Sequence, residues 1–259
     1  MHLDSPGLST DLALLRLQGS TIEHRGDHFV VRTPANPTFR WGNFVLVPTE
    51  ARAGEVDRWV SCFEAELPET QHRAVAFALS GGETEAWAAR GYNVESDVDL
   101  ATTTVPVAAH PPDGIHLRAL AGDPDWEQSV HVGGGDTTEL ANAGQLDFER
   151  RRAAAQRVLV ESGRARWFGA FDRDRLVARL GIVRLGDLAR YQDVVTLASH
   201  RRQGIAGALV RAAGKWALED PAVGQLVIVA EEGGPAVGLY QRAGFTEVAR
   251  HVGVSRAPA

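Results

Sequence analysis

The stretch "TLASHRRQGIAGALVRAAGKWAL", Thr196 to Leu218, decides the fold. An extended run leads into two arginines, then Gly-Ile-Ala-Gly, and an amphipathic helix follows at once. The spacing predicts that helix over 203–219, with Leu209, Val210, Ala213, Trp216 and Ala217 on one face. A helix N-terminus carries unpaired N–H groups and the positive end of the helix dipole. Where glycine and alanine stand there, an anion can come close to those N–H groups. Arg201 and Arg202 add attraction and direct contacts for phosphate. The turn therefore reads as a pyrophosphate cradle. A plain strand-to-helix turn, with glycines for packing and arginines in solvent, would use the same residues. Neither Gly-x-x-x-x-Gly-Lys-Ser/Thr nor Gly-x-Gly-x-x-Gly occurs.

The chain of 259 residues has room for one large domain or two small ones. A net charge of −6 argues against a nucleic-acid partner, which favours a basic face. Cys62 is the only cysteine, which excludes an intrachain disulfide and a cysteine-cluster zinc site and fits a reducing cytoplasm. The opening "MHLDSPGLST" has neither the basic nor the apolar region of a signal peptide, and no apolar run reaches membrane-spanning length. A cytoplasmic protein without a membrane partner is the expectation. The nine histidines show no metal-ligand spacing, so no metal is expected.

"VPVAAHPPDGIHL" punctuates the chain, because Pro106, Pro111, Pro112 and Gly114 cannot continue regular structure. The expected domains are 1–105 and 115–259, joined by a linker at 106–114. The second reads β-α-α-β-β-β-α-β-α-β, an α/β unit with a mixed sheet. Asp123 is its expected first helix cap, and "ARWFGAFDRDRLVARLGIVRLG" reads as two strands around an Asp-Arg-Asp turn. In the first, "NFVLV", "RAVAFAL" and "YNVESDVDLAT" are strands, with helices between them. "AWAARGYNVES" in the first half echoes "LYQRAGFTEVA" in the second. A diverged duplication explains the echo, as does the common grammar of a glycine-capped helix followed by a strand.

"RRQGIA", Arg201 to Ala206, resembles the Arg/Gln-x-x-Gly-x-Gly/Ala motif of the GNAT superfamily of acetyl-CoA-dependent N-acetyltransferases. "LYQRAGF", Leu239 to Phe245, resembles the Leu-Tyr-x-x-x-Gly-Phe that closes that fold. The likeness covers about 115–259. Residues 1–105 look like a degenerate second copy without the Arg-x-x-Gly-x-Gly, as in tandem GNAT proteins. The resemblance implies a GNAT-type central mixed sheet flanked by helices, preceded by a partial GNAT-like α/β unit. It implies that the backbone at Val195, Thr196 and Leu197 runs along the pantetheine arm, with one N–H polarising the acetyl carbonyl. Arg201, Arg202, Gln203, Gly204, Ile205, Ala206 and Gly207 would hold the pyrophosphate, and Tyr240 would contact the cofactor near its sulfur and protonate the leaving thiolate. Many relatives carry an asparagine about seven residues before that tyrosine, bonded to the cofactor arm; here Gly233 stands in its place, beside Glu231 and Glu232.

The resemblance implies acetyl transfer to an amine, and the base for that amine is not evident. Side chains alternate along "ARYQDVVT", so Arg190 and Gln192 face the pocket if Thr196 keeps the family register. Neither is a base at neutral pH. Asp193 is out of phase and would need a bulge; a solvated or salt-bridged residue is the simpler reading. Glu231 and Glu232 stand either as a carboxylate pair with one raised pKa or as an exposed charged loop. His131, Asp136 and Glu139 would line the acceptor wall. Arg190 and Gln192 would suit an acidic group on a small amine, or Arg190 could pair with Asp187 or Asp193. A small-molecule amine is the expected acceptor. A protein acetyltransferase and a non-catalytic acyl-CoA sensor are the alternatives, and the sequence sets no oligomeric state.

Overall fold

A computed structural model describes residues 3–108, 110–133 and 143–257. In chain order the helices are α1 (Pro6–Leu17), α2 (Val56–Glu66), α3 (Glu85–Ala88), α4 (Gly122–Gly133), α5 (Ala143–Glu161), α6 (Ile205–Leu218) and α7 (Pro235–Arg242). The strands are β1 (Thr21–His24), β2 (Phe29–Arg32), β3 (Phe44–Val47), β4 (Arg73–Phe77), β5 (Asn93–Thr102), β6 (Ile115–Ala119), β7 (Ala165–Asp172), β8 (Arg175–Leu185), β9 (Leu188–Thr196), β10 (Gln225–Glu231) and β11 (Thr246–Arg256). The fold is α/β, with mixed pairing and flanking helices. Two compact units interleave along the chain. One holds Met1–Leu100, Val229–Val237 and Glu247–Ala259; the other holds Ala101–Ile228 and Gly238–Thr246.

In the first unit β1, β2 and β3 pair antiparallel, β3 pairs parallel with β4, and β4 pairs antiparallel with β11. Every residue of β3 is buried, as parallel strands covered on both faces require. Trp59 and Phe63 of α2, Trp87 of α3 and Tyr92 join these strands in one core. The sequence reading anticipated β3, α2, β4, α3 and β5 but not α1, β1 and β2. The apolar residues of α1 are spread around the helix, so its pattern is weak.

The start of α1 is nevertheless closely specified. Ser5 caps it, accepting a hydrogen bond from the Leu8 N–H at 3.0 Å, with Pro6 in the first turn. The Asp99 carboxylate also accepts from the Ser5 hydroxyl at 2.5 Å and the Gly7 N–H at 2.8 Å. His251 Nδ1 lies 3.0 Å from the other Asp99 oxygen, an ionic contact rather than an aligned hydrogen bond. Burial works against charge on both groups. Their mutual attraction prevails, so Asp99 is held below the usual carboxylate range and His251 above the usual imidazole value. The raised imidazole contributes stability that is full below its ordinary 6.5 and lost as pH rises through its folded value. The carboxylate contributes above its ordinary 3.8, and that is lost as pH falls through its folded value. Urea unfolding across pH 5 to 9 is expected to show declining stability on the alkaline side, and His251→Leu to flatten that decline. At pH 6 His251→Leu removes one partner of a buried pair, a change that costs about 3 kcal/mol.

In the second unit β6, β7, β8 and β9 pair antiparallel in sequence, and β10 pairs parallel with β9. The elements follow the predicted order. The Asp-Arg-Asp turn joins β7 to β8 with Arg173 left-handed at φ 54°. One local expectation needs correction. The helix expected to be capped by Asp123 begins at Gly122, and it is Asp125 that takes the Ala121 N–H at 2.7 Å and pairs with Arg118. Residues 106–108, in the expected linker, lie along α6: Arg211 Nη1 donates to the Pro106 carbonyl at 3.0 Å, and Val107 donates to Ala243 at 2.9 Å.

Candidate active site

The register between β9 and β10 covers only Leu188–Arg190 and Gln225–Val227. Beyond Arg190, among the described residues, the ladder of β9 continues with β8 alone. Leu197 N–H donates to the Val177 carbonyl at 2.9 Å and is therefore committed to β8. N–H directions alternate along a strand, so that of Thr196 points to the other edge. Of the three backbone positions expected along a cofactor arm, Val195 and Thr196 pair with Arg179 and Ala178, and Leu197 follows the strand end.

The turn after β9 is built for an exposed helix start. Arg202 at φ 60° and Gly204 at φ 81° are both left-handed. Gly204 is the N-cap of α6, no side chain caps that helix, and its first turn holds no acidic residue. Among the described residues, the first N–H groups have neither an intrahelical nor a capping side-chain partner. A Cβ placed on Gly204 would meet nothing nearer than the His110 carbonyl at 3.9 Å, so the approach to the helix start is open. Arg201 Nε donates to the Thr196 carbonyl at 3.0 Å, and Gln203 Nε2 to the Ser199 carbonyl at 3.2 Å. Both side chains brace the turn, while Arg202 and Gln203 are exposed. Ile205 is buried under the helix, and Ala206 and Gly207 are half-buried. These residues fit an anionic diphosphate: the helix start is uncapped and its first turn holds no carboxylate.

Tyr240 of α7 is 4% exposed and packs on Phe245, which in turn packs on Tyr191. Burial pushes the Tyr240 phenol up to about 12, and the Arg190 guanidinium acts against that rise. Arg190 is buried on β9. Gln192 is half-buried, and its Nε2 donates to its neighbour's carbonyl. Tyr191 escaped the sequence reading. Its hydroxyl donates to the Val210 carbonyl of α6 at 2.9 Å, tying β9 to the helix behind the turn. Asp193 lies in the bulge its role would require, where the β8 register jumps from Arg179↔Val195 to Gly181↔Gln192. Its side chain turns inward to Arg152, Gln156 and Arg179.

Gly233, Glu231 and Glu232 fall in the other compact unit and are described there. Glu232 is exposed and paired with Arg250, Glu231 is exposed at the end of β10, and Gly233 is left-handed at φ 73°. His131 is an exposed residue of α4 beside Glu127. Asp136 and Glu139 lie outside the described residues. Cys62 is half-buried beside His28, and burial raises its thiol pKa.

The echo between halves has a local structural counterpart. Phe245 N–H donates to the Tyr240 carbonyl at 3.1 Å, and Tyr92 N–H to the Trp87 carbonyl at 3.1 Å. Each pair straddles a left-handed glycine, Gly244 or Gly91. Trp87 thus occupies the turn position that Tyr240 occupies in the second half, without a hydroxyl.

The site joins three features: an uncapped start of α6, a strand β9 that parts from β10 beyond Arg190, and a buried tyrosine on α7. Residues 163–247 match the family model described as "Acetyltransferase (GNAT) domain". Streptothricin acetyltransferase of Escherichia coli is 34% identical over 80 residues, 30% of this chain and 46% of that protein; the match thus spans under half of the relative. Among solved structures, a GCN5-related N-acetyltransferase from Kribbella flavida aligns over 98% of this chain and 96% of its own, with a TM-score of 0.66 and 14% identity. A tandem GNAT protein from the clavulanic acid biosynthesis pathway covers the same shares, with a TM-score of 0.56 and 14% identity. These likenesses establish the fold over the length of the chain.

Proposed function

We propose that the protein transfers an acetyl group from acetyl-CoA to the amine of a small molecule by direct attack. The carrying observation is the start of α6: Gly204 left-handed, no capping side chain and open space in front. The N–H groups around Arg202–Gly207 would hold the pyrophosphate, with Arg201 and Gln203 keeping the turn in shape. Acetyl-CoA supplies an activated acyl thioester. The outward N–H of Thr196 is the donor best directed along the free edge of β9 to polarise a carbonyl there. Tyr240 stays protonated and has a proton to give; the neutral amine attacks, its surplus proton passes to water as the C–S bond breaks, and water restores the Tyr240 proton.

Transfer from a phenol at about 12 to a thiolate of about 8.5 is uphill by roughly 5 kcal/mol. Charge developing on sulfur acts to close that gap, and the nearby Arg190 already holds the phenol below where burial alone would put it. Arg190 therefore serves the acid in this reading rather than binding the acceptor. The similarity to an enzyme named for acetylating streptothricin supports a small amine-bearing acceptor. Incubation with acetyl-CoA and a panel of small amines and basic peptides, read by thiol release, tests the reading. Release with small amines supports it. Release only with peptides would replace the acceptor class, and tight cofactor binding without release would leave an acyl-CoA sensor.

A further inference from the structure

We infer that Asp193 is a positioning residue: a buried clamp that fixes the β9 bulge and with it the backbone face offered to the thioester. The inference rests on the acetyltransferase reading for its consequence and on geometry for its substance. Opposite the bulge, Leu180 of β8 stands alone where β9 has two residues, Asp193 and Val194. Asp193 is left-handed at φ 54°, a region uncommon for side-chain-bearing residues that aspartate adopts more readily than most.

The Asp193 side chain is 3% exposed and is held from three directions. Arg152 of α5 pairs with Oδ1, Gln156 Nε2 donates to Oδ2 at 2.5 Å, and Arg179 Nη2 of β8 lies 3.9 Å from Oδ2. Arg179 is itself fixed, donating through Nη1 to the Ser129 hydroxyl at 2.7 Å and lying 3.6 Å from Glu149. Two guanidinium groups thus meet two carboxylates, and the cluster is closed in charge. The residue as a whole is half-buried although its carboxylate is not accessible, so its main chain carries the exposure. A strand in regular register would aim residue 193 towards the α6 face, with Tyr191. The extra residue turns Asp193 to the face of Gln192 and Val195 instead. The carboxylate is therefore used up in holding the strand and is not available as a base.

The test uses the full chain with Asp193→Asn, Asp193→Gly and Arg152→Gln. Glycine accepts the left-handed conformation without the clamp, and Arg152→Gln weakens the clamp from a partly exposed helix position. Amide hydrogen exchange over 190–196 is measured without ligand, and acetyl-CoA affinity and turnover are measured alongside. The clamp predicts at least tenfold faster exchange at Val195, whose N–H faces β8, in Asp193→Gly. It predicts a 30-fold or greater fall in kcat with the dissociation constant for acetyl-CoA changed by less than about threefold. Arg152→Gln moves the same way by a smaller factor, and its effect vanishes on top of Asp193→Gly. Unchanged exchange and kcat in a folded Asp193→Gly, or full additivity of the two changes, overturns the clamp. If the Asp193 variants do not fold, Arg152→Gln alone decides by the same two readouts. A wild type that neither binds acetyl-CoA nor turns over defeats the acetyltransferase reading, while the exchange comparison still decides the clamp.

Discussion

Gly204→Asp is expected to weaken acetyl-CoA and CoA binding by at least 100-fold while leaving the protein folded. The position is left-handed, and aspartate is among the few side-chain-bearing residues that tolerate that region. A Cβ at Gly204 meets nothing nearer than 3.9 Å, so the structural cost of the change is the left-handed backbone. Its carboxylate would stand at the positive end of the α6 dipole, beside the free N–H groups. It would then place a negative charge where the phosphates must sit. Gly204→Asn separates charge from bulk, because it adds a side chain of the same size without the charge. A loss of about tenfold is expected for asparagine. Melting temperatures of both variants should fall by only a few degrees, since the left-handed backbone costs about 1 kcal/mol. Equal binding by wild type and Gly204→Asp would place the anion site elsewhere.

Tyr240→Phe is expected to lower kcat by about 10²-fold, within the usual range for loss of a general acid, with acetyl-CoA affinity nearly unchanged. The substitution conserves the ring that packs on Phe245 and removes only the hydroxyl. Because burial holds the phenol at about 12, its ionisation should not appear in the pH–rate profile below about pH 10. Residual activity should rise with acetyl donors whose leaving thiol has a lower pKa, since these need less protonation. A variant that keeps full kcat with acetyl-CoA would show that the thiolate departs unassisted.

Much of the fold was legible because its signals are local. The glycines ending α5, α7 and α3, the Asp-Arg-Asp turn and the apolar face of α6 act within one or two turns of chain. The strand-to-helix turn was legible for the same reason: a left-handed Gly204 reverses the backbone and α6 follows at once. What escaped depended on distant partners. Arg179 sits inside an apolar strand and gains meaning only from Ser129 and Glu149, which lie 50 and 30 residues away in the chain. The Asp193 bulge is set by pairing with β8 and by α5, so strict alternation along "ARYQDVVT" could not show it. The Asp99–His251 pair joins residues from opposite ends of the sequence. A buried arginine in a run such as "LVARLGIV" was the one sequence signal that pointed to the cluster, since a buried guanidinium requires anionic or hydrogen-bonding company.

The most direct measurement is calorimetric titration of acetyl-CoA, and separately of CoA, into the wild-type protein. The account predicts saturable binding of both, lost in Gly204→Asp. Absence of binding at millimolar ligand would contradict it, and the turn at Arg201–Gly207 would then be a turn and nothing more.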